Sequence, residues 1–173
     1  MMTYYMVEQG LMRRLAQPPI AMRPLASNGQ SLLPPTISAL HGRFREWGEL
    51  GFSPGPLRAD HTWIDADGGL LFAFSGGRAP RPLLQVGAAP DLAAWLVLLD
   101  KWMETFVVIA RARAVWSVGE LAGALTFLSP AFLPPALVQQ PPDNWARVAQ
   151  ALAEAVADGP FVGASQDRHW RAA

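Results

Sequence analysis

The chain has 173 residues, of which 51% are hydrophobic and 16% charged; it contains no cysteine, and 14 basic and 14 acidic residues give zero net charge. This length and apolar content allow a buried core and exclude an intrinsically disordered chain. The absence of cysteine excludes disulfides, thiol catalysis and cysteine-bound metal centres, and the zero net charge argues against a nucleic-acid partner.

The N-terminal region is predicted to hold one strand and one short helix. The segment from Met2 to Val7 is rich in tyrosine and methionine, which is typical of a strand, and the polar residues up to Gly10 end it. Leu11 to Ala16 is predicted to form one or two helical turns before the prolines at positions 18 and 19.

The central region predicts a helix followed by a β-hairpin. A helix from Pro34 to Leu50 fits the helical spacing of its apolar residues, with Gly51 as its stop. Thr62 to Ile64 and Leu70 to Phe74 are predicted strands, and Asp67-Gly68 between them is typical of a hairpin turn.

The C-terminal half is predicted to be helical. The segment from Asp91 to Glu104 has almost no polar face, so we expect it to be the most buried helix. A second helix, from Ser117 to Leu128, begins with a capping box in which Glu120 follows the serine by three residues. Asp143 to Asp158 shows the apolar stripe of an amphipathic helix.

These elements are interpreted as one domain over residues 1–158, followed by a tail over residues 159–173. The longest uncharged stretch, Leu121 to Pro142, contains five prolines, which would break a membrane-spanning helix repeatedly. The N-terminus lacks the basic start and apolar run of a signal peptide. We therefore expect no membrane span and a cytoplasmic location.

One motif suggests a serine hydrolase. Residues 51–55 match G-x-S-x-G, the nucleophile elbow, which requires a strand before the serine and a helix after it. Here a helix is predicted before Ser53, and the next residue is Pro54, which has no N–H to hold an oxyanion. The hydrolase alternative would use Ser53 or Ser75 with His41 or His61 as base.

Two other sequence features, an acidic cluster and a high arginine content, are not interpreted as binding sites. Asp60, His61, Asp65 and Asp67 lack the further oxygen ligands of a calcium loop, so no metal is expected. Thirteen of the fourteen basic residues are arginine, which we attribute to base composition and not to phosphate binding.

The order of elements and three segments resemble the C-terminal lobe of a protein kinase. Residues 2–10 resemble the last N-lobe strand and the hinge, and residues 91–104 resemble the central buried helix. Residues 57–76 read L-R-A-D-H-T-W-I-D-A-D-G-G-L-L-F-A-F-S-G, similar to the kinase pattern L-K-P-x-N-I-L-x-D-x-D-G-x-x-K-L-x-D-F-G. The resemblance implies a kinase C-lobe-like fold, mainly α with one small β-hairpin.

The resemblance also implies that catalysis is lost. Kinases need an aspartate that orients the substrate hydroxyl, and an asparagine and a second aspartate that bind magnesium. These positions fall on Pro56, His61 and Phe74, and the N-lobe with its glycine-rich loop and lysine would precede Met1. No cofactor is therefore expected. Asp91 matches a structural aspartate of the family that braces the catalytic loop, although an N-cap role fits it equally well.

The sequence thus predicts a non-enzymatic, pseudokinase-like binding or scaffolding subunit. Tyr4, Tyr5, Met6 and Val7 form an apolar strand with no preceding sequence to pair with, and such an edge is normally covered. We expect a protein partner or a homodimer bound through these residues, with Trp170 as a further anchor. The alternatives are the small hydrolase and an accessory subunit of a larger complex without kinase ancestry.

Overall fold

The computed structural model describes residues 1–28, 31–84, 87–139 and 144–159. The chain has an α+β fold with about 42% helix and 18% strand. Five strands form one antiparallel sheet, two short strands form another, and the described ranges contain six α-helices. The predicted fold class, mainly α like a kinase C-lobe with one small hairpin, is therefore wrong, because the N-terminal residues extend the hairpin into a larger sheet.

The first two strands form a tight hairpin. β1 spans Met2–Glu8 and β2 spans Leu11–Leu15, and Glu8 pairs with Leu11 across a two-residue turn. The turn residues Gln9 and Gly10 have φ values of 53° and 73°, the left-handed pair that two-residue hairpin turns require. The helix predicted over residues 11–16 is wrong, because cross-strand pairing with β1 holds this segment extended.

The remaining strands build the sheet around β1. β3 spans Arg23–Pro24, β5 spans Thr62–Ile64 and β6 spans Leu70–Ser75. The strand order is β2-β1-β6-β5-β3, so β1 lies inside the sheet with a hydrogen-bonded neighbour on each side. The expectation that β1 is an unpaired edge is therefore wrong.

Two predicted features of the central region are confirmed. α1 spans Pro34–Glu49 and is followed by Gly51, whose φ of 77° ends the helix. β5 and β6 form a hairpin whose turn contains Gly68 at φ 80°. After α1, the short strand β4 (Phe52–Ser53) pairs with β7 (Arg81–Pro82) in the second sheet.

The five-stranded sheet has an inner and an outer face. Residues that pair across antiparallel strands share a face, so Tyr5 lies on the same face as its partner Phe72. This inner face packs against α1, since the rings of Phe44 and Trp47 contact Phe72 edge to face. The opposite, outer face carries every alternate side chain, including Tyr4 and its partner Ala73.

The next two helices contain the most buried segment. α2 spans Ala89–Leu99, and every residue from Leu92 to Asp100 is buried. The helix predicted up to Glu104 ends earlier, because Glu104 is the N-cap of a separate helix, α3, over Thr105–Ala112. The predicted burial of this segment is confirmed.

The last three helices complete the core. α4 spans Val118–Leu125, α5 spans Pro135–Val138 and α6 spans Asn144–Ala157. The predicted capping box is present, since the Ser117 hydroxyl and the Glu120 carboxylate each accept a hydrogen bond from the other's backbone N–H. None of the helices in the described ranges combines the length and apolar character needed to cross a membrane. Most of the predicted tail, from residue 160, lies outside the described residues.

Candidate functional site

The outer face of the sheet is an apolar surface. Strand register and alternation place on it two buried side chains, Leu71 and Ala73, which are 0% and 4% exposed. Around them lie these side chains, all at least partly exposed: Met2, Tyr4, Met6, Leu11, Leu15 and Trp63. Within the described residues, none of them belongs to the hydrophobic core cluster, whereas Tyr5 and Val7 of the inner face contribute to it. The centre of this face, at Leu71 and Ala73, is therefore covered within the domain, and the side chains around it leave apolar surface partly exposed outside the main core.

The outer face is nearly neutral in charge. Its only charged side chains by register are Glu8 and Arg13, which form an ion pair at 2.5 Å. Tyr4 packs edge to face on Trp63, with ring centroids 5.6 Å apart. An exposed ion pair contributes little stability, so apolar contacts dominate the chemistry of this surface.

The predicted partner-binding residues are divided between the two faces. Tyr4 and Met6 lie on the outer face, where a partner can reach them. Val7 is 3% exposed, and Tyr5 packs its ring on Phe74 inside the domain. The division follows from strand alternation, which the run of four consecutive apolar residues concealed. Trp170 lies outside the described residues.

The three residues that the kinase resemblance singled out lie around one cavity. Pro56, His61 and Phe74 line a space of about 330 Å³ between the segment after β4 and the end of β6. Ser53 and Ser75 line it as well. The register of the short sheet, in which Ser53 pairs with Arg81, brings β4 and the residues after β6 together around this space.

This space is also lined by three arginines, Arg58, Arg78 and Arg81, and we call it the arginine cavity. Gly76 and Gly77, with φ values of 66° and 71°, turn the chain after β6 so that it returns along the cavity. Sequence analysis missed this cluster, because its members are separated by up to 23 positions and arginine is frequent throughout the chain.

Asp91 links α2 to the cavity wall. It lies in the first turn of α2, but the N-cap is Ala88, so the N-cap role considered for Asp91 is wrong. Burial raises the pKa of the Asp91 carboxyl, and a hydrogen bond from the Ser53 hydroxyl opposes this rise. The contact ties α2 to β4.

His41 cannot act as the base of the hydrolase alternative, because it is buried in the core. Its side chain is fully buried, and its Nδ1 accepts a hydrogen bond from Trp95 Nε1 at 3.0 Å. The ring proton therefore lies on Nε2, which donates to the Val108 carbonyl at 3.0 Å. Burial lowers the pKa of His41 to about 4, against a smaller raising effect of the Val108 hydrogen bond. Such a histidine stabilises the core and cannot reach a substrate.

The other predicted histidine, His61, shares the arginine cavity with Ser53 and Ser75. A serine triad needs the imidazole between the serine and the carboxylate. Here Asp91 bonds Ser53 directly, and the carboxylate nearest His61 is Asp60, at 3.9 Å. The arrangement lacks the order of a triad.

The acidic turn between β5 and β6 has a local role. One oxygen of the Asp65 carboxylate accepts hydrogen bonds from the backbone N–H groups of Asp67 and Gly69, at 3.0 and 2.7 Å. The described residues contain no group of three histidine or acidic side chains placed to hold a metal ion. Asp65 therefore serves the hairpin turn.

Comparisons of the chain with protein-family models, with curated proteins and with solved structures found no match. The resemblance to protein kinases stays a prediction of the sequence.

Proposed function

We propose that this chain is a non-catalytic binding subunit that acts through protein–protein contacts and resides in the cytoplasm. The observation that carries the proposal is the apolar outer face of the sheet. Antiparallel sheets with one solvated face normally alternate apolar and polar residues. β1 instead carries apolar side chains on both faces, with Tyr4 and Met6 pointing away from the core. Contiguous exposed apolar patches of this kind mark interaction surfaces.

The non-catalytic part of the proposal is supported by the chemistry of the arginine cavity. Pro56 and Phe74 have no titratable group, and Pro54 has no N–H to stabilise an oxyanion. The cavity lining contains no carboxylate that could act as a base or hold a metal. A binding role does not need these groups.

The occupant that fits the outer face best is a second copy of the chain. The face carries one positive and one negative side chain, so two copies related by a two-fold axis can place Glu8 of each near Arg13 of the other. Chains with zero net charge also associate more readily than chains with a strong net charge. Pairing through the β2 edge is disfavoured instead, because Arg13 and Arg14 would face their own copies.

The size of the face suits a weak dimer. Its five strands contain 7, 5, 2, 3 and 6 residues, and at about 3.3 Å per residue and about 4.8 Å between strands they present roughly 360 Å² per copy. Two copies would bury about 700 Å², which is below the area of most specific interfaces. The dimer should therefore dissociate on dilution.

Substitutions on the outer face test this proposal. We expect the dimer fraction of the unmodified protein to rise with concentration in sedimentation experiments, and the double variant Met6→Asp with Leu11→Asp to sediment as a folded monomer. Leu11 is 68% exposed, so its replacement costs little stability within the monomer. In the dimer, the two introduced aspartates would be buried without a partner of opposite charge, and this strongly disfavours association.

The matched control is Phe106→Asp with Phe132→Asp, which adds the same charge at side chains 66% and 59% exposed on the helical part of the domain. The control should remain a dimer. An unmodified protein that stays monomeric at high concentration, or a control that dissociates as readily as the outer-face variant, would refute the proposal.

A further inference from the structure

We propose that the arginine cavity binds a small phosphate monoester, held directly by the guanidinium groups of Arg78 and Arg81, with Arg58 beside them. The cavity borders the outer face at Ala73 and Ser75, but the proposal does not depend on dimer formation. The charged side chains that line the cavity are all basic, although the net charge of the chain is zero.

The cavity concentrates positive charge. Its lining includes three arginines and His61 but no aspartate or glutamate. A concave site lined by charges of one sign focuses the electrostatic potential and raises the local concentration of ions of opposite sign. A molecule with a compact negative charge is therefore the ligand class that the lining favours.

The three arginines of the cavity differ in whether they form an ion pair within the domain. Arg58 already holds Asp60 through two hydrogen bonds, at 2.9 and 3.0 Å, and these lower the pKa of the Asp60 carboxyl. Arg78 and Arg81 are exposed and form no ion pair with any other described residue. Two guanidinium groups are thus available to an incoming anion, with Arg58 beside them.

Phosphate suits this arrangement better than carboxylate. A guanidinium presents parallel N–H donors that match two oxygens of a phosphate, and a monoester offers three such oxygens with up to two negative charges. Several arginines around one site therefore gain more from a phosphate than from a singly charged carboxylate with two oxygens.

The apolar part of the lining selects an ester over free phosphate. Leu57, Phe72 and Ala73 are buried at the cavity wall, and Phe74 is partly exposed beside them. The volume of about 330 Å³ lies in the range of small-molecule sites and exceeds what one phosphate group fills. A ligand with an apolar group about the size of a phenyl ring would use both parts of the cavity.

Titration calorimetry with phenyl phosphate, inorganic phosphate and benzoate, in low salt with EDTA, tests each element of the proposal. We expect phenyl phosphate to bind at least roughly tenfold more tightly than either of the others, because only it carries both the phosphate and the apolar group. The double variant Arg78→Gln with Arg81→Gln should weaken phenyl phosphate binding by at least roughly tenfold, because it removes the charged hydrogen bonds that two guanidinium groups donate to the phosphate.

The control variant is Arg111→Gln with Arg113→Gln, which removes the same charge from exposed positions at the end of α3. It should keep the affinity of the unmodified protein. Absence of binding at millimolar phenyl phosphate, equal binding of benzoate or of inorganic phosphate, or an equal loss in the control variant would each overturn the proposal.

Discussion

Replacing Trp95 by alanine should lower the free energy of unfolding by about 3–5 kcal/mol, the usual cost of deleting a buried aromatic side chain. Trp95 is 0% exposed in the centre of α2 and stacks on Phe44, with ring centroids 4.4 Å apart and planes at 2°. This loss is a large fraction of the roughly 5–15 kcal/mol that stabilises a typical domain. Urea titration followed by circular dichroism measures the change.

Replacing each of two buried tryptophans by phenylalanine isolates the hydrogen-bonding part of this effect. Trp95 Nε1 donates to His41, whereas Trp47 is 1% exposed and its Nε1 has no partner in the described part of the chain. Trp95→Phe leaves His41 Nδ1 without a donor, so it should cost about 1–3 kcal/mol more than Trp47→Phe. Equal costs for the two substitutions would show that the hydrogen bond to His41 contributes nothing.

Lowering the pH should destabilise the domain through His41 by about 3 kcal/mol in total. The unfolded chain binds a proton at this imidazole below about pH 6.5, while the folded chain does so only below about pH 4. Between these values the unfolded state binds more protons, so this contribution is complete above about pH 7 and is lost as the pH falls to 4. Protonation would place an N–H on Nδ1 against the N–H of Trp95.

The variant His41→Gln provides the comparison, because its amide offers one acceptor and one donor and does not titrate. The difference in unfolding free energy between the two proteins should shrink steadily from pH 7 to pH 4. A difference that stays constant over this range would show that His41 does not carry the acid sensitivity.

Local signals predicted much of the secondary structure. The capping box at Ser117, the Asp-Gly turn and the apolar spacing of α1 each depend on residues close in sequence, and each is confirmed. The break between α2 and α3 could not be seen, because no glycine or proline marks it. Tertiary contacts hold it instead: Asp100, whose side chain is fully buried, pairs with Arg147 of α6 at 2.5 Å.

The sheet and the candidate sites depend on contacts between distant residues. β1 joins β6 across more than sixty positions, and nothing local in either strand specifies that pairing. The same pairing decides that Tyr4 faces outward and Tyr5 inward. The kinase pattern singled out Pro56, His61 and Phe74, but it did not predict the cavity that they line. The arginines of the cavity could not be grouped either, because no spacing rule connects Arg58 to Arg78 and Arg81.

The distance between spin labels on two copies of the chain tests the outer-face dimer most directly. Because the chain contains no cysteine, Ser75→Cys creates a single labelling site, at an exposed position on the outer face opposite Met2. Two sheets packed face to face lie about 10 Å apart, so we expect an intermolecular label distance below roughly 30 Å. A label at Thr126→Cys, at the end of α4, should give a longer distance, since α4 packs against α2 and α6. The absence of dipolar coupling at position 75 would contradict an interface on the outer face. A shorter distance at position 126 than at position 75 would contradict it as well.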